Sequence, residues 1–363
     1  MYFSAACDVR CKWMAMMFAN TLNACVLKQC RRILRLWRMA RARLSGRAFY
    51  CEVLAGNDGY NLSVNSDMTV SCTCADYDGA GVIGDLSRGA LEEIMAGPRA
   101  AAFRAQLAAG RLPVLYCVTC GGLRTAPARE CAARAPHYRV PVRGVMVENT
   151  SACNLRCVSC PRELIGKSRS RRTMTLADIE RVADEVHRHG IETVSYFKLG
   201  EPFMSQAIFD ELSILRRKNP HLNLRLETNG LLIDSDTKRE AALLTNQIRF
   251  ALDGVDDATV RKYRTNGSFT RAYDNFQKLI AYRNRKGLTR PSIEWKYIVF
   301  NWNDSEDMML RAVQLAEEAG ADRILFCPTV SPFWAVSLRY KLKRYSAALT
   351  AGRRPSGCIV ELR

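Results

Sequence analysis

The sequence predicts an α/β chain built on repeated βα units, and three observations carry that expectation. Short strand-like runs alternate with longer amphipathic ones, the pattern of parallel strands joined by helical crossovers. Gly-bearing turns follow several of the strand-like runs. A cysteine triplet stands directly after one of them, in ENTSACNLRCVSCPRE.

The first segment, 1–49, differs in composition from the rest. WMAMMFANTLNACVL is apolar for about fifteen residues, short of the roughly twenty that span a bilayer, and runs into the basic, helix-like KQCRRILRLWRMARARLSGR. Two readings apply to it: a helix contacting anionic lipid, RNA or an acidic peptide, or a terminal helix packed on the body with a solvated basic face. A secretory signal fits poorly, because the basic residues follow the apolar run. CDVRC at Cys7 to Cys11 lacks a third cysteine and is read as coincidence.

Segment 50–138 holds Cys51, Cys72, Cys74, Cys117 and Cys120, with Gly-rich turns, a strand pair around NLSVNSDMTVSC and a helix-like ALEEIMAGPRAAAFRAQLAAG. Fifteen cysteines without a convincing secretory signal argue against a disulfide scaffold and for a reducing, cytoplasmic setting. Membrane association through the first helix is kept as an option.

Segment 139–330 carries the βα pattern. The strand-like Val145 to Val147 leads into the cysteine loop, and the helical run Thr175 to His189 follows. ETVSYFKLGEP comes next, then helical Ala207 to Lys218, a strand ending in LETNG, helical Ser235 to Thr245, and a strand ending in FALDG. Helical Arg271 to Arg285, strand-like IEWKYIVFNWND, helical Ser305 to Glu318 and strand-like RILFCP complete it. Six units fit. Right-handed crossovers place all strand C-termini on one rim, so LGEP, ETNG and ALDG converge near the cysteine loop.

Three thiolates at C-x3-C-x2-C suit neither a four-ligand zinc site nor a four-cysteine electron-transfer cluster, but they can hold three irons of a 4Fe-4S cube and leave the fourth open to a ligand. The loop resembles that of the radical S-adenosylmethionine (radical SAM) superfamily, and LGEP, ETNG and ALDG resemble that superfamily's SAM-binding motifs over roughly residues 140 to 330. Leu199 and Ala251 depart from the usual Gly and Ser. The resemblance implies a partial (β/α)6 TIM-like barrel, a 4Fe-4S cluster on Cys153, Cys157 and Cys160, and SAM bound there. It implies Glu201, with Gly200, at the SAM ammonium, and Thr228, Asn229 and Asp253 in the polar shell. No catalytic acid or base can be named.

The cysteines of 50–138 resemble the SPASM or twitch extension of such enzymes, which carries auxiliary 4Fe-4S clusters. The resemblance implies ligands Cys51, Cys72, Cys117 and Cys120, with Cys74 the rival to Cys72, although here the extension precedes the barrel. The tail, 331–363, contains Cys358, read either as the start of a second extension or as a plain apolar residue. Cys327 is read as the latter.

The implied activity is reductive SAM cleavage and hydrogen abstraction from a substrate, with a one-electron donor such as flavodoxin or ferredoxin. Oxidative modification of a peptide or protein is the first expectation. Sugar or aminocyclitol dehydrogenation, RNA modification and a non-catalytic iron-sulfur role are the alternatives. A net charge of +18 suits an acidic partner. Lys167, Arg169, Arg171 and Arg172 are expected near the mouth, Glu294 and Lys296 are possible substrate contacts, and His187 and His189 are expected at the surface.

Overall fold

The computed structural model describes residues 3–342, 345, 349 and 352–363, with side chains from residue 22 onward apart from Glu163. Cys7, Cys11 and the first part of the apolar run therefore lie outside the described side chains.

One helix, α1 (Phe3–Leu44), comes first. The upstream segment then supplies strands β1 (Arg47–Cys51), β2 (Ser63–Val64), β3 (Thr69–Ser71) and β4 (Val82–Asp85). It continues with α2 (Leu91–Ala96), α3 (Pro98–Ala108), β5 (Leu123–Pro127) and α4 (Ala128–Arg134). The single helical run expected over ALEEIMAGPRAAAFRAQLAAG is two helices. Gly97 lies at ψ 160° between them and Pro98, which has no N–H to give, opens the second.

The βα series follows: β6 (Val145–Val147), β7 (Arg156–Cys157), α5 (Arg162–Ser168), α6 (Leu176–Arg188), β8 (Thr193–Ser195), α7 (Ile208–Lys218), β9 (Asn223–Thr228) and α8 (Asp236–Leu243). Then come β10 (Gln247–Ala251), α9 (Asp257–Arg261), β11 (Arg264–Thr265), α10 (Phe269–Arg285), β12 (Ser292–Val299), α11 (Glu306–Ala319) and β13 (Arg323–Pro328). The chain closes with α12 (Leu338–Lys341), β14 (Gly352–Arg353) and β15 (Ile359–Leu362). Most of the crossover helices open on a side-chain cap: Thr175, Ser235, Ser268 and Ser305 each accept a backbone N–H three residues on.

In the sheet, β6, β8, β9, β10, β12 and β13 are consecutive neighbours and all parallel. This is the singly wound order of a partial barrel, and it matches the six units read from the sequence. Strand β15 adds in parallel beyond β13, and β2 adds in parallel before β6, carrying β3 and β4 with it. The sheet thus continues from the upstream segment into the barrel, and one hydrophobic core runs through both.

Each strand has one apolar face under the helices. Phe250 and Trp295 pack on Phe276 and Phe269 of α10. Cys358 is also buried in this core, which favours the plain apolar reading.

Helix α1 lies on the upstream segment. Arg35 donates to Leu112 O at 2.5 Å, Arg31 stacks over Tyr116, and Asn23 bonds Ser331 and Phe333 N. Ile33, Leu36 and Trp37 stay exposed among arginines. Among the described residues no helix is long and apolar enough to cross a membrane.

Candidate functional site

Strand β6 delivers the chain to the rim, and the cysteine loop is then held from three sides. Strand β7 pairs antiparallel with β11, placing Cys157 opposite Arg264, and Val158 N donates to Tyr263 O at 2.8 Å. Arg162 Nη1 donates to the carbonyls of Cys153 and Leu155 at 2.9 and 2.7 Å. Ser159 sits at φ +125°, a conformation that side-chain-bearing residues rarely adopt, and turns Cys160 back so that its N–H reaches Cys157 O at 3.2 Å.

The three half-buried thiols lie near one another. Desolvation pushes each of Cys153, Cys157 and Cys160 up to about 11; a neighbouring thiol of the set adds to each, Arg162 opposes the rise at all three and Arg264 at Cys157 and Cys160. A set of thiols that resists carrying several negative charges is the environment a bound cation relieves. Three cysteines at this spacing, with no fourth cysteine in the loop, suit an iron-sulfur cube with one open iron better than a four-ligand zinc site.

The remaining motif residues stitch the strand ends to this loop. Gly200 is required by contact, because a Cβ there would stand 1.9 Å from Thr150 O. Glu201 N donates to Ala152 O at 2.8 Å. The buried Glu201 carboxylate accepts from Thr228 Oγ1 and Asn229 N, both at 2.7 Å, and from Phe203 N at 3.3 Å. Burial raises its pKa and these donors pull it back. Asn229 Nδ2 reaches Asn154 Oδ1 at 2.8 Å. Glu201 is thus a joint between β8, β9 and the cysteine loop.

Asp253, expected in the cofactor's polar shell, is engaged by partners within the chain. Its carboxylate is taken by Arg264, at 2.7 and 2.6 Å, and by Ile298 N at 2.9 Å. It positions the cysteine loop through Arg264. Arg264, Arg162 and Asn154 escaped the sequence reading: only the fold brings Arg264 to the loop, and Asn154 and Arg162, although in or beside it, show their partners only in the structure.

The basic run after the loop is also corrected. Arg169 does not face the mouth; it is buried against Glu148 at 3.0 Å and donates to Asn65 Oδ1 at 2.9 Å. Arg171 is paired with Asp178, while Lys167 and Arg172 are exposed. Lys198 reaches from beyond β8 to Ser63 Oγ and Asn65 Oδ1, at 3.1 and 2.7 Å. His189 is not a free surface residue: it meets Glu92 at 2.7 Å and lies 3.5 Å from Glu185, tying α6 to the upstream segment.

The second cysteine set comes together from β1, the end of β3 and the turn Leu115–Thr119. After burial, Cys117 and Cys120 push Cys51 up to about 12, and Cys51, Cys117 and Cys120 act on Cys72. Cys74 lies near Cys120, which also pushes it up, but its main partners differ. Its Sγ donates to Asn61 Oδ1 at 3.2 Å, and Lys198 is the largest opposing charge near it.

Residues 147–290 match the profile of the Radical SAM superfamily. This stretch is a radical SAM domain. It contains the cysteine loop and the LGEP, ETNG and ALDG turns. Over 180 residues the chain is 26% identical to a probable GTP 3',8-cyclase of Methanocella arvoryzae, covering 49% of this chain and 55% of that one. It is 26% identical over 148 residues to the GTP 3',8-cyclase of Desulforamulus reducens, covering 40% and 44%. The chain spans about half the length of the curated relatives it matches. Among solved structures it is similar to Streptococcus suis SuiB bound to precursor peptide SuiA, at 16% identity and TM-score 0.43, covering 55% of this chain and 43% of that one. A radical SAM domain implies a 4Fe-4S cluster and SAM, and the thiol set on the β6 loop has the chemistry to hold the cluster.

Proposed function

We propose that this protein is a SAM-dependent radical enzyme that holds a 4Fe-4S cluster on Cys153, Cys157 and Cys160. The observation that carries this reading is the rigid, three-sided hold on a three-thiol loop inside the radical SAM domain. When bound, the cluster supplies the electron that cleaves SAM. The chain's own residues orient and exclude: Arg162, Arg264 and Asp253 fix the thiols, and Glu201 with Thr228 and Asn229 fixes the strand ends around the SAM position. Thr150 O against Gly200 sets how closely they approach.

Cys51, Cys72, Cys117 and Cys120 are the proposed ligands of an auxiliary 4Fe-4S cluster, which would take an electron from the substrate and make the outcome an oxidation. A flavodoxin or ferredoxin is the proposed donor to the first cluster. Oxidative modification of a peptide or protein is the reading first drawn from the sequence. A small phosphate-bearing substrate is the second, favoured by a charged strand face inside the barrel and by relatives named for GTP.

The test is anaerobic assay of reconstituted, dithionite-reduced protein for 5'-deoxyadenosine, with iron counted in the same sample. Cleavage that is lost in Cys157→Ala while auxiliary iron stays supports the assignment. Cleavage that survives the substitution removes the β6 loop from catalysis, and no cleavage at full iron content favours a non-catalytic iron-sulfur protein.

A further inference from the structure

The inward face of the barrel strands is charged where a closed barrel would be filled by Val, Ile and Leu. Strand register sets Glu227, Arg249, Glu294 and Arg323 side by side across β9, β10, β12 and β13, an alternating row. The opposite parity, Leu226, Phe250, Ile293 and Trp295, is buried toward the helices, which fixes the charged row on the concave side.

The row is not neutral. Glu227 accepts from Lys296 at 2.7 Å and lies 3.5 Å from Arg249. Glu294 is bound by Arg249 at 2.8 Å, with Arg323 at 3.8 Å. Glu361 of β15 takes Arg323 at 3.2 Å and Arg363 at 2.7 Å. Arg225, one pair of residues deeper than Glu227 on the same face, is solvent-exposed, and its guanidinium lies 3.2 and 2.9 Å from the neutral Asn223 amide, which accepts from it with its oxygen and nitrogen interchanged. Five cations, Arg225, Arg249, Lys296, Arg323 and Arg363, thus stand against three carboxylates, an excess of two positive charges on one strand face.

This face leads directly to the rim, because Glu227 immediately precedes Thr228 and Asn229, which bind Glu201. Cys327 lies one step nearer the rim than Leu325 on β13 and has Lys296 as its strongest opposing charge, so it lines the same space instead of the core. A group bound among these cations would hold the rest of a small molecule up toward the cysteine loop.

We infer that the barrel interior binds a small phosphate-bearing molecule through this cationic excess, with Arg225 and Lys296 as the groups that set its preference for anions. The inference rests on the enzyme reading above for its catalytic meaning, but not for binding. Arg225 exchanges a neutral partner for a phosphate, and Lys296 shares its ammonium between Glu227 and the ligand.

The experiment is calorimetric titration of the full chain with inorganic pyrophosphate, alongside tetraglutamate as an acidic peptide. Arg225→Gln should weaken pyrophosphate binding about tenfold, the loss of one charge-assisted contact. Glu227→Gln should tighten it, a change that misfolding cannot produce. Arg32→Gln, on the exposed face of α1, should change nothing. Binding that ignores Arg225→Gln and Glu227→Gln, or that weakens equally in Arg32→Gln, belongs to the general basic surface and overturns the proposal. So does tighter binding of tetraglutamate than of pyrophosphate. SAM cleavage is followed separately: cleavage without chamber binding sinks only this inference, and chamber binding without cleavage sinks only the enzyme reading.

Discussion

Arg264 grips the buried carboxylate of Asp253 through Nε and Nη2, at 2.7 and 2.6 Å, while its own backbone pairs with Cys157. The pair transmits the position of the β10 end to the cysteine loop. Asp253→Asn should therefore free a buried guanidinium and cost about 3 kcal/mol of stability, read by denaturant unfolding of the cluster-free chain. Iron should also leave the Cys153 loop faster under chelator than from the second cysteine set. Equal loss from both sets would mean that Asp253 acts on general stability alone.

Gly200→Ala places a methyl group 1.9 Å from Thr150 O, a backbone atom that cannot swing away. The expected result is a loss of about 2–3 kcal/mol together with loss of SAM cleavage, as LGEP is driven off the loop. Gly121→Ala is the matched control, because nothing lies within 4 Å of a Cβ there and its φ is ordinary. Melting curves that coincide for the two variants would show that the rim tolerates the displacement.

Much of the site could be read from the chain before the fold was known. The six βα units, the cysteine loop and the convergence of LGEP and ETNG follow from local pattern and from right-handed crossovers, which need no tertiary knowledge. The partners of those residues did not. Asp253 reads as a cofactor-shell carboxylate at a strand end, with no sign of Arg264 arriving on β11, and Arg169 reads as an exposed cation until Glu148 closes on it. Both pairings are long-range, and a charged residue carries no mark of which opposite charge will meet it. The cationic excess inside the barrel was hidden for a different reason. Arg225, Arg249 and Arg323 look like ordinary surface arginines, and only strand register shows that they share one face.

Lys198 is set between the upstream segment and the barrel, and burial lowers its pKa to about 8, with Arg169 adding to the effect and Glu148 opposing it. The unfolded lysine titrates near 10.5, so between pH 8 and 10.5 the unfolded chain holds more protons and stability rises with pH. Below pH 8 both states are charged and the burial cost is present in full. In the cluster-free protein, Lys198→Met should remove this rise, so its stability relative to wild type should fall from pH 7 to pH 10. Thermal unfolding at several pH values reads it directly. Parallel curves for the two proteins would show that Lys198 keeps its ordinary pKa.

Cys72 and Cys74 compete for one place in the second cysteine set, and their surroundings differ. Cys72 is buried against Cys51, Cys117 and Cys120, whereas Cys74 feels Cys120 but gives its thiol hydrogen to Asn61 and has Lys198 as its strongest opposing charge. Cys72→Ser should therefore remove the auxiliary iron, and Cys74→Ser should keep it. Serine preserves the hydrogen bond to Asn61, so Cys74→Ser tests ligation and not folding. Iron content and the cluster absorption spectrum decide the matter, and loss of iron in Cys74→Ser with retention in Cys72→Ser would reverse the two assignments.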